Sequence, residues 1–273
     1  MGTVLVGTSS WSDHDPFYPP GTKPAEQLPY YAHHFPVVEV NTTYYRIPSV
    51  KMVQGWVDRT PDDFVFDVKP PRELTSTPET PHGEAPEPDA DVASSFLDAI
   101  APLVDAGKFG AISFQFPPSY RNTEEHQEYL RLLPELFPDV PLSVEFRRRD
   151  WLDTEHIDET FALLSEVGLS YTMADEPQRG TGSVPPVYGV TNPKLAIVRF
   201  HGRNAANWYH FSGSSRDRFD WDYTPQELDE WVPKLDEAQS EAEVVHVFFN
   251  TNKDDQGPRN ATLLMEQLGL PHP

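Results

Sequence analysis

Val37-Val38-Glu39-Val40-Asn41-Thr42-Thr43-Tyr44-Tyr45-Arg46-Ile47-Pro48 reads as a buried strand running straight into a polar, aromatic turn. Val38 and Val40 alternate with Glu39 and Asn41. Strand side chains have a period of two, so the carboxylate and the amide share one face. Seven other short segments read as strands: Val4 to Trp11, Phe64 to Lys69, Gly110 to Phe116, Leu142 to Arg147, Ser170 to Asp175, Leu195 to Gly202 and Val244 to Phe249. In most of them polar side chains again interrupt an apolar run, and they gather late in the strand.

Helical patterns separate these strands. They cover Glu26 to Phe35, with Pro29 predicting a start near that residue, then Val50 to Arg59 and Val92 to Ala106. They continue from a Thr123 cap to Leu136 and from His156 to Val167, where Gly168 supplies a C-terminal stop. Thr224-Pro225-Gln226-Glu227 carries a cap, a proline at the first position and a glutamate at the third, and Asn260 to Leu268 forms the last helix. The connection from Pro177 to Pro193 holds four prolines and three glycines and reads as irregular. Eight buried strands alternating with helices predict an α/β protein, a single (β/α)8 TIM-type barrel with an irregular connection after strand six. The competing arrangement is an open doubly wound sheet. No Gly-x-Gly-x-x-Gly or Walker-type loop opens a helix, which weakens its nucleotide-binding version. Residues 1–273 are read as one domain, and the Pro/Glu-rich stretch 70–91 as a surface loop and candidate lid.

Composition narrows the chemistry. The 273 residues contain no cysteine, so a disulfide framework, a thiolate nucleophile and a cysteine–zinc site are excluded. No apolar run is long enough to span a membrane, and Met1 leads at once into a strand, so a cytoplasmic location is expected. There are 43 acidic against 21 basic residues, a net charge of −22, and the acids sit on nearly every predicted helix. This points to a salt-adapted, halophilic surface over ordinary acidity, and it argues against a broad nucleic-acid-binding face.

In a barrel the strand C-termini meet at one mouth, where chemistry is expected. The polar strand ends are Ser9, Glu39 with Asn41, Asp67 with Lys69, Ser113 with Gln115, Glu145 with Arg147, Asp175, Arg199 with His201, and His246 with Asn250. Any one of them alone reads as a solvated end or a structural ion pair. As a set they read as a site. Arginine suits bidentate binding of carboxylate or phosphate, lysine acts as a point charge, and two carboxylates near cations can divide into an acid and a base. Glu39 and Glu145 are therefore the candidate catalytic pair. Asn41, Tyr44, Lys69, Gln115, Arg147, Trp151, Arg199, His201 and Asn250 are the candidate substrate-binding set, with Trp11 and Tyr45 as further walls. No metal ligand set is assigned, and the residues name no cofactor.

Several blocks resemble the YecE-like family of unknown function: Val6-Gly7-Thr8-Ser9-Ser10-Trp11, Phe17-Tyr18-Pro19, Val38 to Pro48, Gln115 to Ser119, Val144-Glu145-Phe146-Arg147, Arg199-Phe200-His201-Gly202 and Phe248-Phe249-Asn250. The resemblance runs from the first strand to the last helix and implies a TIM-type barrel without a settled activity. The chain departs from it at Ser10, where the family pattern leads one to expect glycine before the tryptophan, and around Asp13, where it leads one to expect an aromatic.

The reading favours an enzyme, a hydrolase or lyase, acting on a small anionic substrate by carboxylate acid/base chemistry. One alternative is metal-assisted phosphodiester hydrolysis with Glu39, Glu145, Asp175, His201 and His246 as ligands. Lys69, Arg147 and Arg199 in the same layer oppose that. The other is a non-enzymatic anion-binding protein. Arg147 and Arg199 should converge, with either the glutamates or a bound anion as counterion, and the sequence leaves both open.

Overall fold

The computed structural model describes residues 1–76, 84–181, 183–209 and 215–271. Eight parallel strands close into a barrel in chain order: β1 Thr3–Ser9, β2 Val37–Val40, β3 Val65–Val68, β4 Phe109–Gln115, β5 Leu142–Glu145, β6 Ser170–Asp175, β7 Leu195–Phe200 and β8 Val244–Phe249. Closure is made by β1 against β8, where Thr3 pairs with Val244 and Thr8 with Phe249. The helices are α1 Pro24–Ala32, α2 Val50–Val57, α3 Ala90–Asp105, α4 Glu124–Leu136, α5 Ile157–Glu166, α6 Ser215–Arg218, α7 Pro225–Asp229, α8 Val232–Glu241 and α9 Gln256–Gln267. Among the described residues no helix joins β6 to β7, as the proline-rich connection predicts.

Parity explains the layers. Val38 and Val40, Phe66 and Val68, Phe114 and Phe116, and Val144 and Phe146 belong to the main core that the outer helices cover. That core also takes in Leu28 and Tyr31 of α1, Phe96 and Ile100 of α3, and Leu264 of α9. The alternate residues point into the barrel. Val37, Ala111, Leu195, Ile197 and Phe248 form a second apolar cluster there. With it lies a buried Asp67–His246 pair, whose imidazole Nδ1 is 3.0 Å from both carboxylate oxygens. Gly110 is required at this level, because a Cβ there would sit 2.0 Å from Asp67 Oδ1.

Three local expectations are corrected. Helix α1 begins at Pro24, not near Pro29, which lies inside it. Pro29 has no N–H for the carbonyl of Ala25, four residues earlier. That carbonyl instead accepts from Arg59 Nη1 at 3.3 Å, and Glu26 secures the start by accepting from the Lys23 N–H at 2.9 Å. Helix α9 begins at Gln256, four residues before Asn260, because Pro258 falls in the first turn, where proline is tolerated. The helix capped by Thr224 is interrupted between α7 and α8. Of the 70–91 loop, Arg72–Leu74 forms a 3-10 turn, and the Leu74 carbonyl accepts from Tyr129 Oη at 2.7 Å. Residues 77–83 lie outside the described residues, and the lid reading with them.

Ser10, at the end of β1, has φ 75°. This left-handed conformation costs a residue with a Cβ and suits glycine, which gives the expected glycine at this position a physical reason. Among the described residues no helix is long and apolar enough to cross a membrane.

The surface carries the acids. Glu124, Glu125, Asp158, Glu159, Asp229, Glu230, Asp236 and Glu237 are all exposed at helix positions or just beyond a helix end. Screening of like charges should therefore stabilise the protein. The melting temperature is expected to rise between low and molar KCl. A flat or falling response, read by differential scanning fluorimetry, would return the composition to ordinary acidity.

Candidate functional site at the barrel mouth

Arg199 is the centre of the mouth. It lies late in β7 on the inward parity and is 1 % exposed. Its Nη1 donates to Glu145 Oε2 at 2.5 Å and to Gln115 Oε1 at 3.0 Å. Its Nη2 donates to Glu39 Oε2 at 2.7 Å and lies 3.5 Å from Ser9 Oγ. Ser9 Oγ donates to the same Glu39 oxygen at 2.8 Å. The register that sets Ser9 opposite Glu39 and Gln115 opposite Glu145 delivers these four strands to one guanidinium. The Glu145 Oε1 accepts from Arg147 Nη1 at 3.2 Å and from His201 Nε2 at 2.9 Å.

The electrostatics follow from this packing. Burial alone would push the Glu145 carboxyl up, but Arg199, His201 and Arg147 outweigh it and hold it well below the usual carboxylate range. Glu39 behaves alike: burial raises it, and Arg199, Lys69 and Ser9 bring it below its ordinary value. Both carboxylates are thus kept ionised, which suits charge compensation better than proton exchange. Burial lowers His201 to about 4, so its contact with Glu145 is a hydrogen bond from a neutral imidazole. The Asn250 amide nitrogen lies 3.1 Å from the other ring nitrogen, Nδ1, and fixes that tautomer by donating to it.

Lys69 stands beside this network. Its Nζ donates to Gln115 Oε1 at 2.7 Å, and among the described residues it makes no ion pair. Burial, together with the neighbouring Arg199 and Arg147 charges, lowers its ammonium to about 8 against the opposing pull of Glu39 and Glu145.

Of the sequence candidates, Glu39, Lys69, Gln115, Glu145, Arg147, Arg199, His201 and Asn250 come together. Asn41 and Tyr44 lie at the exit of β2, both half-buried, with Asn41 Oδ1 unpartnered among the described residues and Tyr44 edge-on to Tyr45. Trp151 is not brought to the mouth. It is fully buried behind β5, stacked on Phe146 at 4.3 Å, with its indole N–H donating to the Tyr120 carbonyl. Asp175 also faces away. It accepts from Arg203, from Tyr223 Oη at 2.7 Å and from Trp231 Nε1 at 2.8 Å. The five residues weighed as metal ligands therefore fall into three places: Glu39, Glu145 and His201 around Arg199, Asp175 outside, and His246 on Asp67. Among the described residues no three His, Asp or Glu side chains form a metal-holding group.

The sequence reading missed Glu176. It is 4 % exposed, its Oε1 accepts from the Val184 N–H at 2.6 Å, and its Oε2 lies 3.2 Å from Arg147 Nη2. Burial is the larger influence and raises the carboxyl to about 7 despite Arg147. The signal was present: Tyr171 and Met173 are large and apolar, so their parity faces the helices, carries Asp175 outward and turns Glu176 the other way. Trp208, also missed, carries two guanidiniums over its ring, with Arg147 4.7 Å and Arg218 4.8 Å from the centroid. It comes from a loop whose sequence carries no periodic pattern.

Residues 5–273 match the family described as "Protein of unknown function DUF72", and the chain belongs to that family. It is 32 % identical over 271 residues to the UPF0759 protein YunF of Bacillus subtilis, covering 98 % of this chain and 95 % of that one. It is 31 % identical over 117 residues to the UPF0759 protein YecE of Escherichia coli K12, covering 43 % of this chain and 39 % of that one. Among solved structures, a DUF72 family protein from Enterococcus faecalis V583 superposes with TM-score 0.88 at 31 % identity, covering 99 % of this chain and 97 % of that chain. One from Thermotoga maritima MSB8 gives 0.84 at 31 % identity, covering 98 % and 99 %.

Proposed function

We propose that this DUF72 protein is an enzyme that receives a small anionic substrate at the C-terminal mouth of its barrel, with Glu176 as the proton-exchanging group. The observation that carries the reading is a local surplus of positive charge in a strongly acidic protein. Lys69, Arg147 and Arg199 face two carboxylates held ionised, Glu39 and Glu145, and a third, Glu176 beside Arg147, whose raised value of about 7 leaves it partly neutral; among the described residues Lys69 has only the neutral Gln115 carbonyl as acceptor. A surplus cation at the barrel mouth favours an anion. Arg199 itself is saturated by Glu39 and Glu145, so it serves as framework, and the anion falls to Lys69 and Arg147. Arg147 brings a buried Nε that has no hydrogen-bond partner among the described residues.

Acid/base duty passes from Glu39 and Glu145 to Glu176 in this reading. A carboxyl that titrates near neutrality can give and take a proton at working pH, while a strongly depressed one cannot. The roles resemble the general case in which environments drive two carboxyl pKa values apart. Sulfate is expected to raise the melting temperature more than chloride at matched ionic strength, and Lys69→Met to remove most of that difference. Equal responses to the two anions in the wild-type protein would overturn the anion site.

A further inference from the structure

We infer that Lys69 is a nucleophilic amine that forms an iminium with the carbonyl carbon of a small carboxylate-bearing aldehyde or ketone, an inference that rests on the reading of the mouth as an anion site. The chain has seven lysines, and Lys69 differs from the rest in how it is held. Lys108 is buried, but its Nζ is consumed by the Val57 and Thr60 carbonyls at 2.9 and 2.8 Å and by Thr60 Oγ1. Lys253 is paired with Asp220, Lys234 lies over Trp231, and Lys23, Lys51 and Lys194 are exposed.

The Lys69 backbone is pinned on both sides. Its N–H donates to the Val40 carbonyl at 3.2 Å, and its carbonyl accepts from Thr43 Oγ1 at 2.7 Å. The ammonium therefore emerges from a fixed strand end into the mouth, with Gln115 Oε1 as its acceptor. Gln115 Oε1 also receives Arg199 Nη1, so two cations share one neutral oxygen. Crowding by cations without a paired carboxylate is a known way to free a lysine amine for attack on carbonyls. The position of Lys69, lowered to about 8, agrees with it. Arg147 is then placed to hold the substrate carboxylate.

The step balances within the pair. The ammonium first gives up one proton to solvent water, which returns it to the carbonyl oxygen as the amine lone pair attacks the carbonyl carbon. A carbinolamine forms, and its oxygen leaves as water with two of the three original N–H protons. The C=N bond replaces the C=O bond, and the single positive charge stays on nitrogen. No oxidant or reductant takes part.

Glyoxylate with sodium borohydride tests this directly, since hydride reduces the iminium to a stable secondary amine. Peptide mass spectrometry of the wild-type protein is expected to find a carboxymethyl group concentrated on Lys69, with labelling that rises as pH passes through about 8. Lys69→Arg should lose the label and keep the sulfate-specific rise in melting temperature, because the charge remains without a nucleophile. Label confined to the exposed lysines, with the sulfate response intact, would overturn the iminium and leave the anion site standing. Absence of both would overturn the two together.

Discussion

Arg199→Met is expected to lower the unfolding free energy by about 3–5 kcal/mol, the loss that follows when one partner of a buried ion pair is removed. The substitution keeps most of the side chain's apolar volume and deletes the charge. It leaves Glu39 and Glu145 buried, each having lost its closest cation, with Glu39 retaining, among the described residues, only the Ser9 hydroxyl as a hydrogen-bond donor. Denaturant unfolding at neutral pH reads the loss. Adding Glu39→Gln to Arg199→Met is expected to recover part of it, since one uncompensated charge disappears, and the double-mutant cycle isolates that coupling. A single-mutant loss below about 1 kcal/mol would mean that the two carboxylates are stabilised without Arg199. The framework role assigned to this residue would then fall. The same pair fixes an acid limb. Glu39 and Glu145 have depressed carboxyls in the fold, so their contribution is present above the unfolded carboxylate value and is lost as pH falls through the folded ones.

How far this arrangement could be read in advance depends on the range of the interactions. The barrel was legible because it rests on local alternation: Val38 and Val40 against Glu39, or Val144 and Phe146 against Glu145. The caps at Thr123 and Thr224 were legible for the same reason. Pro29 misled, because its cost is removed by Arg59, thirty-four residues away from the carbonyl it satisfies. The counterion of Arg199 was undecidable, because its two carboxylates lie 54 and 160 residues distant. Only the closed register shows that both reach the same guanidinium. Trp151 was assigned to the pocket by residue type, but its position just past β5 lets it fold back on Phe146. Asp175 and Glu176 were exchanged by a parity error that the apolar residues of their own strand could have prevented.

Glu176→Gln is expected to abolish a pH dependence of stability between about pH 4.5 and 7, worth on the order of 3 kcal/mol across that window. The sign follows from the direction of the shift. The folded carboxyl titrates at about 7, above its ordinary 4.5, so in this window the native state keeps a proton that the unfolded chain has released. The contribution is complete below the unfolded value and is lost as pH rises through the folded one. Wild-type stability should therefore fall relative to Glu176→Gln from pH 5 to pH 7. The Glu39 and Glu145 contributions change at more acid pH, and that of Lys69 at more alkaline pH, from about 8 upward, where its lowered folded value lets stability rise. Both variants share those limbs, so the difference between the two stability curves isolates Glu176. Unfolding free energies at pH 5, 6, 7 and 8 decide the matter. Parallel curves would show that Glu176 is ionised throughout, held by Arg147 like Glu145 beside it, and the mouth would lose its proton-exchanging group. A wild-type curve that falls away from the Glu176→Gln curve as pH rises would place a half-protonated carboxyl at neutral pH against the guanidinium proposed to hold the substrate, where a proton can be delivered as an anion binds.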